Sequence, residues 1–419
     1  MAMVKITPVD GAPPAAHQPV SVQHYLRPGV LSLPTLPPLS LYVHIPWCVR
    51  KCPYCDFNSH EHPGGVGAIP EDAYLEALRI DVETSLPLVW GRPIVSVFIG
   101  GGTPSVFSAR AIETLLSNIR ALLPLQADCE ITLEANPGTF EADKFAAFRD
   151  AGVNRLSLGI QSFDETKLRA LGRIHDRAQA LAAAASAQRL FDNFNLDLMY
   201  GLPGQELATL QADVHQALVF SPPHLSLYQL TLEPNTVFAK YPPALPDEDV
   251  VADMSGWIEA QTERAGFKHY EVSAYAKPGR VCRHNLNYWT FGDYLGVGAG
   301  AHSKLSFPHR ILRQVRLRQP DSYLANARSG SMVSESKEVA RAELPFEFML
   351  NALRLNEGVP VALFAERTGM PISQIDKALG QAVSRGLLVD VHDRLQPTPL
   401  GCRFLTDLQA VFLPSASQQ

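Results

Sequence analysis

The sequence is poor in cysteine and in charge, and each shortage excludes a class of protein. Only six cysteines occur in 419 residues, and three of them (Cys129, Cys282 and Cys402) are scattered, unlike the dense framework of a small disulfide-stabilised domain. Charged residues make up 19% and the formal net charge is −6, which argues against electrostatic binding of nucleic acid. No run of 18 apolar residues occurs, so no membrane-spanning helix is predicted.

The beginning of the chain also lacks the apolar segment of a secretory signal. The first 38 residues contain eight prolines, a density that excludes a helix or a central strand. We therefore predict a flexible leader over residues 1–38 and a cytoplasmic, reducing compartment. Hydrophobic residues make up 46% of the chain, which suits a globular protein with a large core.

Six β-prone segments alternate with six helical segments over residues 39–267, which predicts an α/β fold with a parallel sheet. The predicted strands are Leu39–Trp47, Ile94–Gly101, Glu130–Pro137, Arg155–Ser162, Phe194–Leu202 and His224–Leu232. The predicted helices are Glu71–Leu86, Ala109–Leu123, Glu141–Ala151, Arg177–Phe191, Glu206–Phe220 and Asp247–Gly266. Six such units fit an open doubly wound sheet or an incomplete (β/α)6 barrel. Glycine-rich or polar motifs follow most of the strands, and this favours the barrel, where functional groups gather at the strand ends.

The rest of the chain predicts two further regions. Residues 268–335 break into short strands and turns, with a polar helical link near Asp321–Glu343. Residues 336–419 have helical spacing in Glu347–Leu355, Val361–Thr368 and Ile372–Arg385, followed by a hairpin near Gly386–Asp390. Helices followed by a small hairpin predict a winged-helix-like C-terminal domain.

Three closely spaced cysteines, Cys48, Cys52 and Cys55, follow the first predicted strand. Three thiolates can bind a [4Fe–4S] cluster and leave one iron open to a ligand. A zinc site with His44, Asp56 or His60 as fourth ligand is the alternative. Zinc sites usually combine two separated cysteine pairs, and the chain has no second pair of that kind. The spacing therefore favours the cluster.

These motifs together resemble the radical S-adenosylmethionine (SAM) superfamily, and within it the family of oxygen-independent coproporphyrinogen III oxidase and its relatives. The resemblance rests on residues 42–48, on residues 52–57, on the glycine-rich loop at 100–104 and on residues 197–204. It implies that Cys48, Cys52 and Cys55 hold the cluster, and that SAM binds the open iron and is cleaved reductively. The positions that match the SAM contacts of the family are Tyr42, Tyr54, Gly101, Gly102, Thr103, Glu134, Gln161, Arg173 and Asp197.

Two features separate the branches of this family. The oxidase branch carries a fourth cysteine two residues after the third, but Cys55 is followed by Asp56 and Phe57. Residues 284–289 (His-Asn-Leu-Asn-Tyr-Trp) instead resemble a motif of the heme-chaperone branch. An imidazole beside two aromatic rings could bind heme through His284, Tyr288 and Trp289, although a hydrogen-bonded turn with aromatic core packing explains the same residues.

The resemblance therefore implies a heme chaperone that binds a [4Fe–4S] cluster, SAM and heme and transfers heme to an acceptor protein, possibly a respiratory one. The alternative is an oxidase that converts coproporphyrinogen III to protoporphyrinogen IX. An electron donor such as a flavodoxin or ferredoxin is expected as a partner, and nucleic acid is not. Family members are monomers or homodimers, and the acceptor could bring a cytoplasmic chaperone transiently to a membrane. No catalytic residue is assigned.

Overall fold

A single sheet of twelve strands forms the centre of the protein, and two two-stranded sheets accompany it. The structure, a computed structural model, describes residues 25–138 and 141–414. The strands in chain order are β1 (Leu39–Ile45), β2 (Trp47–Cys48), β3 (His60–Glu61), β4 (Ile94–Gly101), β5 (Leu125–Ala135), β6 (Arg155–Gln161), β7 (Phe194–Tyr200), β8 (His224–Gln229), β9 (Lys268–Glu271), β10 (Ala274–Ala276), β11 (Asp293–Val297), β12 (His302–Phe307), β13 (Arg310–Arg316), β14 (Val333–Glu338), β15 (Val359–Pro360) and β16 (Arg394–Leu395).

Helices connect the parallel strands, and others form the C-terminal region. They are α1 (Glu71–Val89), α2 (Ala109–Leu122), α3 (Glu141–Ala151), α4 (Glu165–Ala170), α5 (Arg177–Leu190), α6 (Leu207–Val219), α7 (Val237–Lys240), α8 (Glu248–Arg264), α9 (Arg283–Trp289), α10 (Pro320–Ala327), α11 (Leu344–Ala352), α12 (Ala362–Thr368), α13 (Asp376–Ser384), α14 (Pro399–Arg403) and α15 (Leu405–Ala410). Local signals fix several starts: Ser108 caps α2, Asp164 caps α4, and Asp176 and Gln179 form a capping box on α5. Among the described residues, no helix is both long and apolar enough to cross a membrane.

The six predicted strands lie side by side in chain order, from β1 through β4, β5, β6 and β7 to β8, and all are parallel. Strands β1 and β8 are not neighbours in the sheet, so the barrel remains open. The bounds of β4 and α3 agree with prediction, and the other predicted strands and helices differ by a few residues. The predicted α/β class, an incomplete (β/α)6 barrel followed by a small C-terminal helical domain, is confirmed.

Alternation along the strands separates an apolar outside from a polar inside. Leu41, Ile99, Leu133, Leu158 and Leu196 point to the helices and are fully buried in the main core. Their neighbours on the opposite face are polar or small and point into the barrel. These inner residues include Ser40, Tyr42, Glu130, Glu134, Arg155, Ser157, Asn195, Asp197, His224 and Tyr228. The interior of a purely structural barrel is usually apolar. These polar side chains therefore indicate that the barrel binds a polar ligand.

Further strands extend the sheet at both edges. Strand β11 pairs in parallel with the open side of β1, and β12, β13 and β14 follow it in antiparallel order. At the other edge, β10 and β9 continue antiparallel from β8. The helical link predicted for Asp321–Glu343 is partly wrong, because α10 ends at Ala327 and Val333–Glu338 is a strand. This polar segment becomes a strand because the edge of β13 offers it a backbone partner.

Phe348, Phe364 and Leu395 of the C-terminal region lie in a second core, which Trp289 and Ile311 of the preceding region also join. Helices α11, α12 and α13 precede a hairpin, in which the amide of Val389 donates to the carbonyl of Gln396 at 2.9 Å. The order of helices and hairpin agrees with the predicted winged-helix-like arrangement.

Residues 1–24 of the predicted flexible leader lie outside the described residues. The remainder, 25–38, contacts the body of the protein. The amides of Leu31 and Leu33 donate to the carbonyls of His309 and Pro308, and Tyr25 stacks on Phe307 at 5.1 Å between ring centroids. This part of the segment is therefore held in place by the turn between β12 and β13.

Candidate metal centre and its surroundings

The three clustered cysteines lie in a loop at the carboxyl end of β1. Strand β2 contains Cys48 and pairs with β3, which closes the loop, and the amide of Cys55 donates to the carbonyl of Cys52 at 3.1 Å. All three cysteines are half-buried. The loop thus holds the thiols at the mouth of the barrel, at the edge where parallel strands place functional groups.

Each thiol has a polar neighbour from another part of the site. Thr103 Oγ1 donates to Cys48 Sγ at 3.4 Å, the Arg173 guanidinium donates to Cys52 Sγ at 3.6 Å, and Ser59 Oγ lies 3.8 Å from Cys55 Sγ. Burial raises the pKa of Cys48 to about 11 and also raises the pKa of Cys55. Without a metal these two thiols are protonated at neutral pH, and metal binding would release their protons.

The donor set fits a cluster better than a single ion. In the described part of the chain, only Glu130, Cys282 and His284 bring three ligand atoms within 4.8 Å of one another. The three clustered cysteines do not form such a compact group with one another or with His44, Asp56 or His60, as the ligands of one zinc ion would. His44, considered as a fourth zinc ligand, has both ring nitrogens in hydrogen bonds, to Tyr42 Oη at 2.7 Å and to the carbonyl of Asn58 at 2.9 Å.

The glycine-rich loop after β4 crosses directly over the cysteine loop. The amide of Gly102 donates to the carbonyl of Ile45 at 2.7 Å, and the amide of Thr103 donates to the carbonyl of Trp47 at 2.8 Å. A Cβ atom at Gly102 would lie 2.5 Å from the Trp47 carbonyl oxygen, and Gly101 has a φ of 119°. Only glycine allows this approach, because it has no Cβ and tolerates positive φ.

Asn136 joins the two sides of the site, although sequence analysis did not select it. Its Nδ2 donates to Thr103 Oγ1 at 2.8 Å, and its Oδ1 accepts from Arg173 at 2.5 Å. Arg173 also donates to the carbonyl of Gly159 at 2.9 Å. Since Thr103 and Arg173 each contact a cysteine sulfur, Asn136 connects two of the three thiols. The sequence signal that could have identified Asn136 is its position directly after β5, within Glu-Ala-Asn-Pro, because functional residues gather at the carboxyl ends of such strands.

Two predicted SAM contacts, Glu134 and Asp197, are carboxylates on the inner face of the barrel. Burial, and next the nearby charge of Asp197, raise the pKa of Glu134 to about 8; burial also raises the pKa of Asp197. Glu134 accepts from the amide of Gly101 at 3.2 Å, and Asp197 accepts from Asn195 at 2.7 Å. A bound cation would relieve the repulsion between these carboxylates.

The other predicted SAM contacts line the same opening. Gln161, with φ of 68°, accepts a hydrogen bond from Tyr228 Oη at 2.7 Å, and Tyr54 packs near Phe238 with centroids 6.3 Å apart. Tyr42 is half-buried, and burial raises its pKa. The structure therefore brings all nine positions to the inside or the mouth of one barrel. Tyr228 and Asn195 line the same barrel and bond to two of these positions, Gln161 and Asp197, but nothing in the sequence distinguishes them.

The histidine motif forms helix α9, in a region where the sequence predicts short strands and turns. His284 is 4% exposed and its ring stacks on Phe98, with centroids 4.1 Å apart and planes 8° apart. Its Nδ1 lies 3.3 Å from Glu130 Oε1. Burial outweighs this contact and lowers the pKa of His284. In this conformation the imidazole is not accessible to a ligand of the size of heme.

The aromatic residues of the motif face in two directions. Tyr288 is half-buried and lies edge-on to His284, whereas Trp289 is buried and packs under the guanidinium of Arg354 at 4.2 Å. Arg354 in turn forms an ion pair with Glu271 at 3.4 Å. Helix α9 therefore joins the barrel interior to the C-terminal core.

Comparison with known proteins agrees with this architecture. Residues 42–217 match the family model of the radical SAM superfamily, and residues 339–404 match that of the HemN C-terminal domain. The solved structure of coproporphyrinogen III oxidase (HemN) from Escherichia coli has a TM-score of 0.76 at 24% identity and covers 90% of both chains, which establishes the fold. The protein is thus a radical SAM superfamily member with a HemN-type C-terminal domain.

Its relatives define the branch. The heme chaperone HemW of Escherichia coli is 49% identical over 90% of this chain and 99% of its own length. The heme chaperone HemW of Haemophilus influenzae is 47% identical over 91% of this chain and 99% of its own. The chain belongs to the HemW family.

Proposed function

We propose that this protein is a heme chaperone that binds a [4Fe–4S] cluster, SAM and heme and delivers heme to an acceptor protein. The observation that carries the proposal is the three-cysteine loop without a fourth cysteine, in a chain closely similar to proteins named heme chaperones. In the oxidase branch a fourth cysteine follows the third, and here Phe57 stands at that position.

Cys48, Cys52 and Cys55 would hold the cluster, which supplies an electron to SAM when both are bound. Arg173, already beside Cys52 Sγ, would offset negative charge there. Gly101 and Gly102 let the loop lie against His44 and Trp47, which places its backbone beside the cysteine loop, where the amino acid part of SAM would bind. Tyr42, Tyr54, Thr103, Gln161, Glu134 and Asp197 complete the SAM site, in which the two carboxylates are suited to an ammonium group and to ribose hydroxyls.

Heme would contact the histidine motif, namely His284, Tyr288 and Trp289. Because His284 is buried on Phe98, heme ligation through it requires helix α9 to move away from β4. Heme carries two propionates and a flat apolar ring, so an opened helix with aromatic side chains offers matching surfaces. The electron donor would be a flavodoxin or ferredoxin, and the heme acceptor would be a respiratory protein. The chaperone would work in the cytoplasm as a monomer or homodimer and would approach a membrane only when it binds its acceptor.

The test uses anaerobically purified protein with a reconstituted cluster. Heme is titrated while its absorption spectrum is recorded, and the same sample is assayed with coproporphyrinogen III, SAM and a reductant. Near-stoichiometric heme binding, with transfer to an apo-acceptor and no protoporphyrinogen, is the expected result. His284→Ala is compared with His392→Ala, which removes a histidine with an 80% exposed side chain that could bind heme adventitiously. Porphyrinogen turnover without tight heme binding would overturn the proposal and identify an oxidase.

A further inference from the structure

Helix α9 closes the interior of the barrel from the amino-terminal side of its strands. Glu130 Oε1 accepts from the amides of Arg283 and His284 at 3.0 and 3.4 Å, so β5 holds the first turn of the helix. Asn287 Nδ2 donates to Ser40 Oγ at 2.9 Å, which attaches the same helix to β1. The helix is therefore fixed to the two strands that also carry Tyr42 and Glu134.

The ring of Phe98 lies between this helix and the SAM site. One face of Phe98 carries the imidazole of His284, and Tyr42 lies beside it with ring centroids 5.6 Å apart. The tip of the Phe98 ring reaches Gly100, where a Cβ would lie 2.8 Å from Cζ of Phe98 and 2.9 Å from Glu134 Oε2. The position of Phe98 thus limits where the glycine loop and Glu134 can lie.

Tyr288, one helical turn after His284, packs against the His284 ring. Its ring stands edge-on to His284, with centroids 6.3 Å apart, and it stacks edge-on against Tyr294 at 4.8 Å. Burial raises the pKa of Tyr288, and the charge of Glu134 contributes in the same direction. Tyr288, Glu134 and Tyr42 are therefore within electrostatic range of one another.

We propose that His284 is a positioning residue for SAM. Its stack on Phe98 fixes the position of the Phe98 ring, against which Tyr42 and the Gly100–Thr103 loop lie. This inference rests on the proposed SAM site and adds a role to the histidine motif that does not involve heme. His284 does not touch SAM in this arrangement and acts through Phe98. Any movement of α9 that exposes His284 would break its stack on Phe98 and weaken SAM binding.

The test measures SAM affinity by calorimetry on cluster-reconstituted protein without heme. His284→Ala removes the stack, and His284→Phe restores a flat ring on Phe98 without a nitrogen that could ligate iron. The matched control is His269→Ala, which breaks another histidine stack, on Tyr275 at 4.3 Å and 12°, in strand β9 away from the site. The electron paramagnetic resonance spectrum of the reduced cluster, recorded with and without SAM, gives a second readout.

His284→Ala should weaken SAM binding roughly five- to tenfold and reduce the SAM-dependent change in the spectrum. His284→Phe and His269→Ala should bind SAM close to the wild-type value. An unchanged SAM affinity in His284→Ala, with iron content intact, would overturn the inference, as would a His284→Phe variant as weak as His284→Ala. If the wild-type protein binds no SAM, the proposed function itself fails, and the wild-type titration separates this result from a failure of the inference, in which wild type and His284→Ala bind SAM equally.

Discussion

Replacing Asn136 with alanine should weaken SAM binding, because this side chain joins the two polar groups that contact cysteine sulfurs. The bond accepted from Arg173 at 2.5 Å involves a charged donor and contributes about 1.5–3 kcal/mol, and the bond to Thr103 at 2.8 Å contributes about 0.5–1.5 kcal/mol. Asn136 is half-buried, so water replaces part of this loss, and Arg173 keeps its bond to the Gly159 carbonyl. These bonds are also present without SAM, so part of their loss lowers stability; at most about 1.4–2.8 kcal/mol should be lost from SAM binding, a decrease of up to roughly 10- to 100-fold in affinity.

The assay is calorimetric titration of SAM into cluster-reconstituted protein, with iron content measured on the same samples. Asn154→Ala is the matched control, because Asn154 also bridges to β5, accepting from the Ile131 amide at 2.7 Å and donating to the Cys129 carbonyl at 2.8 Å. Asn154 precedes β6 and contacts the middle of β5, away from the cysteine loop, so its loss should affect stability and leave SAM affinity unchanged. An Asn136→Ala protein with full iron content and wild-type affinity would refute the reasoning.

Because the pKa of Glu134 is raised to about 8 in the fold, against 4.5 for the ordinary group, the folded state keeps a proton that the unfolded chain releases. The free energy of unfolding of the cluster-free protein should therefore fall between about pH 4.5 and 8, and denaturant titrations of Glu134→Gln should show a smaller slope. Cys48→Ala should lose the iron and the visible absorption of the reconstituted protein, whereas Cys402→Ala, at an exposed cysteine, should keep both. Asp81→Ala should lower the free energy of unfolding by about 3–5 kcal/mol, because it leaves the buried Arg316, 2.9 Å away, without its counter-ion; a change below 1 kcal/mol in urea titration would contradict this.

The six central strands could be read from the sequence because their signals are local. Segments such as Ile94–Gly101 and Arg155–Gln161 are short apolar runs ended by glycine or serine, and each is followed by a helix with its own cap. The cysteine loop was equally local, since its three cysteines lie within eight residues. Such features need no knowledge of distant contacts.

The remaining parts of the site depend on distant residues. Asn136 bonds to groups 33 and 37 positions away, and nothing near it in the chain predicts either partner. The burial of His284 depends on Glu130, which is 154 positions away in the sequence. The histidine motif alone left heme ligation and a hydrogen-bonded turn with aromatic packing open, whereas tertiary packing buries His284 against Phe98. Strand Val333–Glu338 was likewise decided by its neighbour β13 rather than by its own residues.

The pairing of β1 with β11 has a consequence for synthesis on the ribosome. Leu39 is aligned with Asp293, so the first strand obtains its second neighbour only after about 250 further residues have been made. At about 5–20 residues per second, one edge of the strand that leads into the cysteine loop stays open for roughly 10–50 s. An open strand edge is a template for wrong pairing. Nascent chains halted before residue 293 should therefore be aggregation-prone and poor recipients of iron, and assembly of the metal centre should follow release of the finished chain.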